Sequence, residues 1–145
     1  MLRGGVMAKK NKVLVVDDSP PLLEDLKWVA EKASGGDVTA ARSAREAMES
    51  MREHDFDLVI TDLRMETEEA GMDVVVAAKE KDWTTQVILV TAFGKPDEMG
   101  PAAIAKGAYD YVDRNAPGNY LKRLKQIIGP ALARGERKRQ EKEER

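Results

Sequence analysis

The chain has 145 residues, enough for one domain with its own apolar core and too few for two full ones. Its 24 basic and 26 acidic residues leave a formal charge of -2, so no overall field draws it to nucleic acid or to an acidic membrane face. Cysteine is absent, which excludes disulfides, thiolate zinc sites and thiol catalysis.

Residues 1–11 are basic but lack an apolar stretch of signal-peptide length, and they read as a flexible N-terminal segment. Nowhere do about 18 apolar residues run together, so no membrane-spanning helix is expected and the cytoplasm suits the chain. Three short apolar runs follow: Val13-Leu14-Val15-Val16, Leu58-Val59-Ile60 and Val87-Ile88-Leu89-Val90. They are rich in β-branched residues and show no polar alternation, the pattern of strands buried on both faces of a parallel sheet. Val38 to Ala41 and Ala108 to Val112 are weaker strand candidates.

Helical spacing fills the intervals. Ser19-Pro20 reads as a cap and a first-turn proline, with Leu22, Leu23, Leu26, Val29 and Ala30 behind it. Ser43 and Glu46 form a capping-box pattern ahead of Ala44, Ala47, Met48 and Met51. A third helix is expected from Met72 to about Lys81. A fourth, from Pro96 to Lys106, is weakened by Gly100 and Pro101. The fifth carries Leu121, Leu124, Ile127 and Ile128 and then meets Gly129-Pro130. The order is β-α five times over, so the chain is expected to be an α/β doubly wound parallel five-stranded sheet spanning residues 12–129. Residues 130–145 read as a charged C-terminal tail, solvated and helical or disordered, with no apolar stripe for a coiled coil. Met48, Met51 and Met72 read as core filling, Trp28 and Trp83 as packing anchors, and His54 as a solvated surface group.

In an open parallel sheet, ligands bind beyond the carboxyl ends of the strands. Here those ends are Asp17-Asp18, Thr61-Asp62, Thr91-Ala92 and Asp113-Arg114. Three carboxylates on one rim repel one another, and a hard divalent cation such as Mg²⁺ relieves that repulsion with oxygen ligands alone. Asp62 can then attack a phosphoryl group to form an acyl phosphate, with Thr91 and Arg114 meeting phosphoryl oxygens.

These residues resemble the receiver domain of two-component response regulators. The resemblance runs from Lys12 to Ile128 and is carried by VLVVDD at 13–18, LVITDLRM at 58–65, VILVTA at 87–92 and GAYDYVDR at 107–114. It implies a flavodoxin-like (βα)5 fold with strand order 2-1-3-4-5, and a Mg²⁺-dependent phosphoacceptor at Asp62. Asp18 would bind the metal directly, Asp17 mainly through water, and Arg64 through its backbone carbonyl. Thr91 and Tyr111 would be the switch pair, and Arg64 and Phe93 stand at positions that often tune hydrolysis. A sensor histidine kinase or phosphotransfer protein would be the donor. A downstream protein, or a second copy through the face of helix four, strand five and helix five, would read the change. Neither direct nucleic-acid binding nor membrane binding is expected, and whether the chain stands alone or belongs to a longer protein stays open.

Three departures from the family pattern bear on this. Arg114 stands where lysine is usual, keeping the charge on a wider planar group. Glu66 replaces the usual proline, in a loop about one residue longer than usual, and is expected to add acid beside the site. Asn115 replaces a second proline, so the cis bond common there is not available. The first two motivate the alternative of a degenerate receiver that binds proteins without phosphorylation. An aspartate-nucleophile phosphatase is a poorer fit, because Asp17 and Asp18 are adjacent rather than Asp-x-Asp, and no GxGxxG supports a dinucleotide site. The chain is thus expected to be a signalling receiver that catalyses its own phosphorylation and dephosphorylation, not a turnover enzyme.

Overall fold

The computed structural model describes residues 10–92 and 96–144. Five strands alternate with five helices: β1 (Lys12–Val16), α1 (Pro20–Ser34), β2 (Asp37–Ala41), α2 (Ala44–Glu53), β3 (Leu58–Asp62), α3 (Ala70–Lys81), β4 (Gln86–Thr91), α4 (Pro96–Ala105), β5 (Asp110–Asp113) and α5 (Tyr120–Glu143). All strand pairs are parallel, in the order β2-β1-β3-β4-β5. This is the fold the sequence predicts. Most of the expected flexible segment, and Phe93, lie outside the described residues. Asn11 is already bonded, its carbonyl accepting from the Asp37 N–H at 2.9 Å.

The strands lack polar alternation because both faces of the sheet are covered. Leu14 and Val16 of β1 point to one face, where they meet Val59, Val87, Leu89 and the inner sides of α2, α3 and α4. Val13 and Val15 point to the other, against Ile60, Ile88, α1 and α5. Period-two geometry thus splits one apolar run between two cores.

Helix ends follow local chemistry. The Ser43 side chain accepts from the Glu46 N–H at 3.0 Å, as the capping box predicts, but Glu46 reaches back to the Arg42 N–H rather than to that of Ser43. Ser19 makes no side-chain cap. α1 ends on Gly35 at φ 63°, a left-handed conformation that glycine adopts without strain. α3 begins two residues before the expected Met72.

The largest difference is at the C-terminus. The last helix does not stop at Gly129-Pro130 but continues to Glu143, a single helix of 24 residues. Pro130 cannot donate to the ladder, yet the segment beyond it has tertiary partners that hold it. Ala131 is buried, and Leu132 packs against the same core as Ile128. A Cβ on Gly135 would stand 3.2 Å from the Gln86 side chain and the Thr84 carbonyl, so the helix passes close to the start of β4. Arg139 pairs with Asp57 at 2.5 Å, and Lys142 with Asp82 at 3.3 Å. The other Asp57 oxygen accepts from the Lys12 N–H at 2.8 Å, so one carboxylate ties α5 to the first residue of β1. Trp28 also departs from expectation. It is 57% exposed on α1, with the Lys32 ammonium 5.9 Å from its ring centre, and it anchors no core.

The docked segment combines apolar contact with a partly shielded ion pair, together worth about 2 kcal/mol. A chain ending at Gly129 is therefore expected to melt about 5–10 °C lower by circular dichroism. An unchanged midpoint would mean that the docked segment contributes nothing to stability.

Candidate functional site

Parallel pairing sets the strand ends side by side. Val16 aligns with Thr61, Asp62 with Val90, and Thr91 with Asp113. One residue past β1, Asp17 is fully buried, while Asp18 is exposed. Asp62 closes β3 and is also buried. One carboxylate oxygen from each of the three lies within 4.8 Å of the others. The three acids that the sequence places on a common rim are therefore brought together.

The two buried carboxylates are held. Asp17 Oδ1 accepts from the Ser19 N–H at 2.9 Å, and its Oδ2 accepts from Arg114 Nη2 at 2.5 Å. Asp62 Oδ1 accepts from the Leu63 N–H at 2.9 Å and lies 3.9 Å from Arg114 Nη1. The Arg114 side chain is only 6% exposed, and its backbone N–H donates to the Thr91 carbonyl at 2.8 Å. Thr91 is fully buried at the end of β4. Arg64, two residues past Asp62, has an exposed side chain.

Tyr111 lies half-buried on β5, over a notch in α4. A Cβ on Gly100 would stand 2.3 Å from its ring, so only glycine leaves the ring its present place. The sequence marked Gly100 as a helix weakness; the structure shows it as a seat.

The electrostatics follow from crowding. Burial, then the neighbouring Asp17 charge, push the Asp62 carboxyl up to about 6, against the opposing pull of Arg114 and the Leu63 N–H. Burial alone would lower the Arg114 pKa, but the hydrogen bond and charge of Asp17, with the charge of Asp62, raise it. One guanidinium therefore does not neutralise the cluster. An all-oxygen donor set with uncompensated negative charge fits a hard divalent cation. Arg114 Nε and Nη1 are buried and, among the described residues, without hydrogen-bond partners, which leaves donors for an anion beside the acids.

Four features escaped the sequence. Gly71 is required where α3 starts, because a Cβ there would meet the Asp62 carbonyl oxygen at 2.1 Å. Its signal was a glycine just before an apolar helical run. Tyr120 lies under Arg114, with its ring centre 5.3 Å from the guanidinium carbon. Asn115, through its side-chain amide, donates to the Ala92 carbonyl at 2.6 Å and hooks the loop after β5 to the end of β4. Glu66 corrects an expectation: it lies outside the acid cluster. Its two oxygens accept from the Ala44 and Arg45 N–H groups at 2.9 and 3.0 Å, at the start of α2. Burial opposes its ionisation, but these backbone bonds prevail and lower its pKa.

Comparison with known proteins agrees with this geometry. The family model of the response regulator receiver domain matches residues 13–125. The response regulator protein PilR of Pseudomonas aeruginosa is 31% identical over 123 residues, covering 85% of this chain and 26% of PilR. The virulence transcriptional regulatory protein PhoP of Salmonella typhimurium is 36% identical over 104 residues, covering 71% of this chain and 45% of PhoP. The chain thus spans less than half the length of these relatives. A solved response regulator receiver domain from Clostridium thermocellum is 29% identical and superposes with a TM-score of 0.74, over 87% of this chain and 97% of that one.

The raised Asp62 pKa fixes the sign of a stability effect. The folded value of about 6 lies above the ordinary 3.8, so ionising Asp62 costs the folded state more than the unfolded one. Stability contributed by the protonated carboxyl is full below the ordinary value and is lost as pH rises to the folded one. Asp62→Asn is therefore expected to stabilise the metal-free protein by about 1–2 kcal/mol at pH 7, after allowance for solvent screening. The gain should shrink as the pH falls towards 4. Urea denaturation at the two pH values checks this, and a variant no more stable at pH 7 would contradict it.

Proposed function

Because the chain belongs to the response regulator receiver family, we propose that it accepts a phosphoryl group on Asp62 from a histidine kinase or a phosphotransfer protein and switches protein contacts in response. The carrying observation is the convergence of Asp17, Asp18 and Asp62 around a buried guanidinium at the carboxyl ends of β1, β3 and β5.

An Asp62 carboxylate oxygen attacks the donor phosphorus as the donor's nitrogen–phosphorus bond breaks, leaving an acyl phosphate on Asp62 and the electron pair on the departing imidazole. The residues that would hold Mg²⁺ are Asp18 and Asp62 directly, Asp17 through water and Arg64 by its carbonyl. Both Asp17 oxygens already accept hydrogen bonds, which supports its indirect role. When bound, the metal supplies charge neutralisation between the acids and the phosphoryl oxygens. Thr91 and the spare donors of Arg114 meet the remaining oxygens. Thr91 drawn towards the phosphoryl group vacates space for Tyr111, and the face of α4, β5 and α5 changes for a partner or a second copy. Among the described residues no helix is long and apolar enough to cross a membrane. A cytoplasmic signalling module that acts through protein contacts, rather than a turnover enzyme or a nucleic-acid binder, suits these features.

The second reading is a phosphorylation-independent binding module, and the Arg114–Asp17 pair is the observation behind it, because the guanidinium already occupies one acid. Incubation with Mg²⁺ and acetyl phosphate separates the two. We expect an intact-mass gain of one phosphoryl group that is lost in Asp62→Asn and on chelation of the metal. No gain with any small phosphodonor would favour the second reading.

The seat for Tyr111 gives a further expectation. Gly100→Ala should expel the ring from α4 before any phosphorylation, shifting the Tyr111 aromatic NMR signals and costing about 1–3 kcal/mol of stability. Unshifted ring signals would show that α4 adjusts instead.

A further inference from the structure

Glu66 stands on the loop between the phosphoacceptor and α3, yet its carboxylate spans to another element. Oε1 accepts from the Ala44 N–H at 2.9 Å and Oε2 from the Arg45 N–H at 3.0 Å, 22 and 21 residues away in sequence. The first N–H groups of a helix have no partners within it. In α2 the third of them, on Glu46, is satisfied by Ser43, so the first two are free to take an outside carboxylate. The rest of the loop is tied by short-range backbone bonds: Met65 N–H to the Thr67 carbonyl at 3.0 Å, Ala70 N–H to the same carbonyl at 3.4 Å, and Gly71 N–H to the Leu63 carbonyl at 2.8 Å. These close the loop on itself and on β3. Glu66 fastens it sideways to α2, whose own position is set by Ala44, Ala47 and Met51 in the core.

We infer that Glu66 is a positioning residue: its clamp on α2 holds residues 63–69 so that the backbone beside Asp62, the Arg64 carbonyl included, is set for the divalent cation. This rests on the phosphoacceptor reading above. A proline at this position restricts a loop through its own ring, whereas a glutamate does so by a two-point bond to a neighbour. The carboxylate here restrains the loop by two bonds to one helix end.

The test is a calorimetric Mg²⁺ titration of the full chain as wild type, Glu66→Ala, Glu66→Gln and Glu68→Gln, with urea stability measured alongside. Glu66→Ala is expected to raise the Mg²⁺ dissociation constant about tenfold. Glu66→Gln, which keeps one acceptor oxygen, should raise it less. Glu68→Gln removes an equal charge from the same loop and should change it by no more than about twofold. If Glu66→Ala binds Mg²⁺ as wild type does while amide exchange at the start of α2 quickens, Glu66 is only a helix cap and the inference is overturned. An equal loss in Glu68→Gln would overturn it too, by making the effect one of charge. Wild type that neither binds Mg²⁺ nor takes up phosphoryl would sink the phosphoacceptor reading and this inference with it, an outcome distinct from the other two.

Discussion

Two aspartates buried side by side with one guanidinium between them set the terms for the rest of this molecule. Asp17 and Asp62 repel each other across a pocket from which water is largely excluded, and Arg114 bonds the first while standing 3.9 Å from the second. The imbalance appears as a phosphoacceptor candidate whose carboxyl is reluctant to ionise. It appears again as two buried guanidinium nitrogens with no acceptor among the described residues. Acids short of a cation thus stand beside donors short of an anion, the imbalance on which the proposed function rests.

The fold meets the cost of that pocket by dividing labour between the two ends of one sheet. At the carboxyl ends the strands deliver charge that one guanidinium only partly balances. At the amino ends acids are paired: Asp57 takes Arg139 of α5 and accepts from the Lys12 backbone N–H of β1, and Asp82 takes Lys142. The apolar runs between them feed two separate cores, so the strain at one end is carried by packing common to both.

This division also separates what was legible in the sequence from what was not. Val13 to Val16, Leu58 to Ile60 and Val87 to Val90 announce buried parallel strands by composition alone, and once they are aligned their last residues are neighbours of necessity. Asp17, Asp18, Asp62, Thr91 and Arg114 were therefore readable as a set. Glu66 was not, because its partners are backbone N–H groups more than twenty residues away that carry no sequence signature. The continuation of α5 was hidden for a related reason. Gly129-Pro130 signals a stop locally, and the contacts of Ala131, Gly135 and Arg139 that override it exist only in the folded chain. Trp28 misled in the opposite sense, since a large ring is usually buried and this one lies on the outer side of α1.

The arginine at position 114 is best understood with its neighbours. A guanidinium is flat and wide, and it needs a surface to lie against as well as acids to face. Tyr120 provides that surface, its ring centre 5.3 Å from the guanidinium carbon. Asn115 fixes the same loop from above by its bond to the Ala92 carbonyl, while the Arg114 N–H holds the Thr91 carbonyl. Arg114, Asn115 and Tyr120 thus form one unit across the ends of β4 and β5. Its backbone bond ties Thr91 directly to the loop that carries Arg114. A lysine would keep the charge, but it would leave the flat face of Tyr120 without the planar group that now covers it, so the arginine belongs to the whole loop rather than to one side chain.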